Sequence, residues 1–198
     1  SRFAGVKPII GMDMPYNYRN KVQTVFRLNQ RKQIISGVYQ SSSGNVVSVD
    51  DCMLENIQSQ KIVAEIKKLM KSFKIYPYDA RQDRGTIRHV MVRCGKTTGQ
   101  IMVCIVTPTA MFPSRNNFVK ALRKLHPEIT TVVINVNDRH TNMVLGERDI
   151  VLYGKGYIED VLCGIKYRIS PQSFYQINPV QTERLYKKAI SLAGLTGK

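Results

Sequence analysis

The sequence predicts an α+β fold: an antiparallel sheet with its helices on one face, followed by a small β meander and a last helix that leads into a further unit. Three observations carry this reading. Two pairs of alternating or β-branched runs, within 18–39 and 86–107, fold back across short turns. Two segments, 57–73 and 115–125, repeat apolar residues at helical spacing and must cover one side of a sheet. Short runs near the end of the chain are punctuated by Gly154, Gly156 and Gly164.

Residues 1–17 carry Gly5, Pro8, Gly11 and Pro15 without periodicity and read as an arm or linker that leans on a neighbour. A central α+β domain is expected over 18–140. In its first hairpin Val22, Thr24, Phe26 and Leu28 alternate with polar residues, as do Ile35, Gly37 and Tyr39 beyond the turn Asn29-Gln30-Arg31-Lys32. Residues 41–45 form a turn and 46–49 a short strand. In the helix over 57–73, Ile62, Ile66, Leu69, Met70 and Phe73 make one apolar stripe. After a polar loop at 79–84, the runs 86–93 and 100–107 form a second hairpin around Gly95-Lys96-Thr97-Thr98-Gly99. His89, with no carboxylate or cysteine near it in sequence, reads as structural.

Ser114 is placed to cap the next helix, in which Phe118, Leu122 and Leu125 repeat before His126-Pro127 closes it. A buried strand spans 130–135, and the polar turn at 137–142 offers Arg139 and His140 to a polyanionic partner. From 141 to 198 the chain reads as strands at 150–153, 157–162 and 166–169, then a helix. Glu159 and Asp160 suggest acid–base work, but adjacent residues on a strand point to opposite faces, so the pair is weak evidence for catalysis. The last helix has a strong start: Asn178 as N-cap, Pro179 at the first helical position and Gln181 able to reach back to the cap. Val180, Leu185, Ala189, Ile190 and Ala193 follow at about one per turn, and Gly194 ends the helix.

Composition narrows the partner. Thirty Lys and Arg against 14 Asp and Glu give a formal charge of +16, the footprint of a polyanion binder, while 43% hydrophobic residues support a folded chain. No apolar run approaches the roughly 20 residues that span a bilayer, so a membrane is not the expected partner. No secretory signal opens the chain. Cys52, Cys94, Cys104 and Cys163 lack paired metal-ligand spacing, which fits a reducing cytoplasm. The chain starts with Ser and ends just past a helix, so both ends are expected to be cuts in a longer polypeptide.

The run Ser170-Pro171-Gln172-Ser173-Phe174-Tyr175-Gln176-Ile177-Asn178-Pro179-Val180-Gln181 resembles the signature that precedes the methyltransferase domain of the RNA uracil-5-methyltransferases. Tyr18-Arg19-Asn20-Lys21-Val22 and the segments from Leu145 to Glu147 and from Leu152 to Asp160 match in the same order. The resemblance implies an S-adenosylmethionine-dependent enzyme acting on C5 of a uridine, with a layout closer to the 23S ribosomal RNA enzymes than to the transfer RNA enzymes. It implies that Phe174 and Gln176 line the uracil pocket and that Arg19 and Lys21 contact RNA phosphates, which would position the RNA rather than read it.

In that family the cysteine nucleophile, the glutamate base and the Gly-rich cofactor loop lie in a Rossmann-like domain beginning just after the signature, so the 198 residues alone are expected to be inactive, with no catalytic residue of their own. The resemblance further implies that Cys52 is the fourth ligand of a 4Fe-4S cluster in the full-length protein. The three other cysteines would come from an upstream segment that these residues do not include, so Cys52 is expected to stand vacant here. The other reading of the sequence is a non-catalytic RNA-binding module.

Overall fold

Period-2 patterning makes β1 (Lys21–Leu28) and β2 (Ile34–Tyr39) an antiparallel hairpin, with Val25 opposite Gly37 and Leu28 opposite Ile34. The computed structural model describes residues 5–41, 43–139 and 143–194. His140, which the sequence offered to RNA, and the last residues of the chain lie outside them. Strand β3 (Val46–Ser48) extends the hairpin, and helix α1 (Ile57–Ser72) follows, its first N–H groups at Gln58 and Ser59 accepted by the Asn56 side chain. Next come β4 (His89–Cys94), β5 (Ile101–Thr107), α2 (Arg115–Leu125), β6 (Ile129–Val136) and β7 (Arg148–Tyr153). Strands β8 (Ile158–Leu162) and β9 (Ile165–Ile169) and helix α3 (Pro179–Ala193) complete the chain.

Seven strands form one sheet in the order β3-β2-β1-β4-β5-β6-β7, and β8-β9 form a separate antiparallel pair. The sheet is mixed rather than wholly antiparallel as predicted, because β5 and β6 run parallel. Helix α2 lies between them in sequence and carries the chain back to the starting edge, the crossover that a parallel pair requires. The β-branched run of β6 is buried on both sides, as a central strand demands. Strand β7 also departs from expectation. It pairs antiparallel with β6 as the sheet's edge instead of opening a three-stranded meander. Its anchors are buried polar groups on β6: Asn135 Nδ2 donates to Gly146 O and Asp149 Oδ1, and Thr131 Oγ1 donates to Tyr153 O.

Both α1 and α2 cover the same face, as their stripes predict. Ile62, Ile66 and Met70 of α1 and Phe118 and Leu122 of α2 share one core with Val22, Phe26, Val90 and Val103 of the sheet. Phe118 is its centre, with edge-to-face contacts to Phe73 at 5.5 Å and Phe112 at 5.1 Å. Leu125, assigned to this stripe from spacing, is exposed, and Val119 takes its place in the core. Ser114 precedes α2 but does not cap it. Its φ of 52° is left-handed, away from the extended conformation in which a cap hydroxyl reaches the helix N–H groups.

Asn178 does cap α3, accepting from the Gln181 N–H at 3.1 Å, with Pro179 at the first position and Gly194 at φ 58° ending it. The Gln181 side chain does not reach back; it donates to Ile10 O at 3.0 Å, and Arg184 donates to Gly11 O at 2.6 Å. The N-terminal arm therefore lies along α3.

Replacing Phe118 by Ala should cost roughly 4 kcal/mol, since it leaves a cavity between the Phe73 and Phe112 rings; equilibrium denaturation would show it as a lowered midpoint with an unchanged slope. His89 supplies a pH test. Burial, with Arg88 and Arg27 nearby, pushes its pKa from 6.5 to about 4. The folded protein keeps His89 neutral while the unfolded chain protonates it, so stability present above pH 6.5 is lost as pH falls toward 4. His89→Gln should flatten the denaturation midpoint across that interval.

Candidate functional site

Along β8, Ile158, Asp160 and Leu162 point inward and alternate with half-buried residues. A carboxylate with no exposure must find partners for its charge. Asp160 accepts from the backbone N–H of Lys96 at 2.9 Å and of Thr97 at 2.8 Å, both in the turn between β4 and β5, and from the Tyr175 hydroxyl at 3.1 Å. The hydroxyls of Thr97 and Thr98 donate to Val161 O and Glu159 O at 3.0 and 2.6 Å. Gly95 permits this close approach: a Cβ there would lie 2.4 Å from Thr98 Oγ1 and 3.3 Å from Asp160 Oδ1. The β8-β9 pair is thus bolted to the sheet on the face opposite the helices, where Met102 packs with Ile158, Ile169 and Tyr175.

The loop leaving β9 is held by hydrogen bonds spread along its length. Ser170 and Ser173 close a tight turn through their hydroxyls, 2.9 Å apart. Buried Arg93 donates to Pro171 O at 3.2 Å and Ser173 O at 2.6 Å. Asn20 donates its side-chain amide to Gln176 O and its backbone N–H to Ile177 O, both at 3.0 Å. Tyr175 turns inward to Asp160. Burial and the Asp160 charge raise its phenol pKa, so it serves as a neutral donor.

With Tyr175 inward, its neighbours turn out. Phe174 is 87% exposed, and the half-buried Gln176 amide has no side-chain partner among the described residues. Beside this loop, a recess of about 370 Å³ opens between the arm and the start of α3, lined by Asn17, Asn20, Asn56, Cys94 and Lys96 among others.

Of the residues singled out from sequence, the structure brings Arg19, Lys21, Phe174 and Gln176 to one end of the sheet. Arg19 flanks Asn20 and pairs its backbone with Glu55; its Nε is buried with no hydrogen-bond partner among the described residues. Lys21 lies opposite Arg93 in the sheet, and burial and that neighbour lower its pKa. Arg139 sits at the other end, beyond β6, in an exposed ion pair with Glu147 at 2.5 Å. Cys52 is tied through its backbone to the Gln60 amide, and among the described residues no group of three or more His, Cys, Asp and Glu could hold a metal. A lone thiol does not fit a four-iron cluster, which takes four ligands. Burial raises the pKa values of Cys94 and Cys104, so neither is an activated nucleophile.

Sequence reasoning missed Asn20, Arg93, Asp160 and Tyr175, the groups that hold the loop. One signal was present: an aspartate on the inward register of an otherwise apolar strand requires buried donors. The Asn20 and Arg93 contacts span 156 and 78 residues of chain, and no local pattern announces them.

No protein-family model matches the chain. Among curated proteins it is 39% identical over 193 residues to an uncharacterized RNA methyltransferase of Halalkalibacterium halodurans and 42% identical over 189 residues to one of Caldanaerobacter subterraneus. A Staphylococcus aureus protein described in the same words is 36% identical over 192 residues. These matches take in 96–97% of this chain but 42% of each relative. Over that shared span the chain is homologous to these RNA methyltransferases, and it spans less than half of their length. Among solved structures it is similar to a tRNA (uracil-54, C5)-methyltransferase of Pyrococcus abyssi in complex with S-adenosyl-L-homocysteine, with a TM-score of 0.73 and 24% identity over 91% of this chain and 42% of that one. At that identity the likeness establishes the fold.

Tyr175→Phe removes one hydrogen bond to a buried carboxylate and should cost about 2 kcal/mol. Asp160→Ala strips partners from three N–H groups, those of Lys96, Thr97 and Thr98, and from a hydroxyl, and should cost more, on the order of 4 kcal/mol. Denaturation midpoints of the two variants would check the order, which fails if they match the parent.

Proposed function

We propose that these residues contribute RNA binding and part of the uracil pocket to an S-adenosylmethionine-dependent enzyme that methylates C5 of a uridine, in 23S ribosomal RNA rather than transfer RNA. The observation that carries this reading is the clamped loop with Phe174 and Gln176 facing outward. An unpaired amide offers both a donor and an acceptor to the polar edge of a uracil, and a neighbouring ring offers its face to the base. Arg19 and Lys21 beside the loop suit phosphate contacts. Arg139, at the far end, would meet a more distant part of the RNA.

C5 methylation needs a thiolate to add at C6, a methyl donor at C5 and a base to take the C5 proton. Among the described residues there is no strand, Gly-rich turn and helix of the kind that binds the cofactor, and the buried thiols are unactivated. These residues do not fit S-adenosylmethionine. The preference for 23S ribosomal RNA rests on the sequence layout. Among the described residues no helix is long and apolar enough to cross a membrane, and four unpaired cysteines suit the cytoplasm.

Methyl transfer from labelled S-adenosylmethionine to unmodified ribosomal and transfer RNA, using the natural gene product that contains these residues, tests the reading. The parent is expected to methylate uracil in ribosomal RNA, and Gln176→Ala to lose most of that rate, roughly 100-fold for a buried polar contact to the base. The 198 residues alone should bind RNA and transfer no methyl group. RNA binding without methylation by the natural gene product would replace the enzyme with a non-catalytic binding module.

A further inference from the structure

The face of the sheet opposite α1 and α2 carries more than the clamped loop. Val22 and Phe26 of β1 belong to the core under the helices, so Lys21, Gln23, Val25 and Arg27 project to the other side. In register, Val25 lies between Gly37 of β2 and His89 of β4. Two residues beyond Gly37, the Tyr39 ring reaches past Val25 to meet His89 edge-on, with centroids 6.0 Å apart and planes at 68°. The Arg27 guanidinium stands 6.0 Å from the same ring, steadied by the Tyr78 carbonyl at 3.3 Å and Asp79 at 3.6 Å. Val25 is left 4% exposed while Tyr39 remains 45% exposed. Covering the valine therefore uses only part of the tyrosine, and a braced aromatic surface beside a fixed cation is left to solvent.

From this platform β1 runs toward Lys21, next to Arg93, which grips the loop of Phe174 and Gln176. The distance from Arg27 to Lys21 is about 20 Å at the rise of a strand, enough for a few nucleotides. Two cations of β1 and an aromatic ring of its neighbour β2, on a chain of charge +16, match the pairing of charged groove and stacking ring by which proteins hold single-stranded nucleic acid.

We propose that Tyr39, braced by His89 and Arg27, is a stacking site for an unpaired RNA base flanking the nucleotide at Gln176, with the intervening strand lying along β1 past Lys21. The proposal rests on the RNA reading above and adds a second base contact to it. Rigid bracing matters because a ring already held in place loses little freedom when a base stacks on it.

The test uses the 198-residue chain and a fluorescently labelled single-stranded oligoribonucleotide of a dozen nucleotides, with binding read by anisotropy. Tyr39→Ala is expected to weaken binding about tenfold, the effect of losing one stacked base, and Tyr39→Phe to bind like the parent. Because the chain has no tryptophan, Tyr39→Trp gives an independent readout. Its emission should be quenched by the oligonucleotide and not by an abasic strand with the same phosphates. Parent-like binding by Tyr39→Ala, or equal quenching by the abasic strand, overturns the stacking site and leaves the RNA reading standing. Absence of RNA binding by the parent overturns both.

Discussion

The buried Asp160 carboxylate joins three parts of the chain: β8, the turn between β4 and β5, and the loop after β9. Taking a carboxylate out of water costs several kcal/mol, and only well-placed donors offset that cost. Here they come from the backbone of the β4–β5 turn and from Tyr175. The donors lie on different elements, so satisfying the charge sets the position of the β8-β9 pair on the sheet and of the loop that follows. Arg93 and Asn20 then hold the loop through its carbonyls, leaving two outward side chains free of structural duty.

The two faces of the sheet are consequently specialised. One meets α1 and α2 through a dry core centred on Phe118, which supplies most of the apolar burial. The other carries buried but hydrogen-bonded polar groups, among them Arg93, Thr131 and Asn135, and beside them the residues available to a ligand. Most of the apolar burial and the proposed RNA contacts therefore fall on opposite sides of the same strands. A change on the recognition face perturbs the core little, provided it spares the polar anchors.

Positive charge is also divided in its use. Arg93 is spent internally on loop carbonyls, Arg139 is paired with Glu147, and Arg88 holds the carbonyls of Asn137 and Arg139. The formal charge of +16 thus overstates the number of cations free to meet a phosphate, and position along β1 matters more than the total. Helix α3 makes a similar point for apolar residues. Leu185, Ile190 and Leu192 are each more than half exposed, so a helical apolar period shows that a helix forms without showing what covers it.

The sequence by itself determined the elements: the hairpin of β1 and β2, the stripe of α1, the cap at Asn178 and the glycine stop of α3 were all legible, because each depends on neighbours within a turn or a strand pair. The signature loop, with Phe174 and Gln176, was legible as a resemblance. Only the tertiary structure decided that β6 runs parallel to β5, that β7 closes the sheet, that Leu125 faces water and that Arg139 lies away from the loop. It also decided that Asp160, a weak catalytic candidate in sequence, is an anchor. These outcomes depend on which donor meets which acceptor across as many as 156 residues of chain, and side-chain periodicity, which reports the burial of a face, carries no information about its partner.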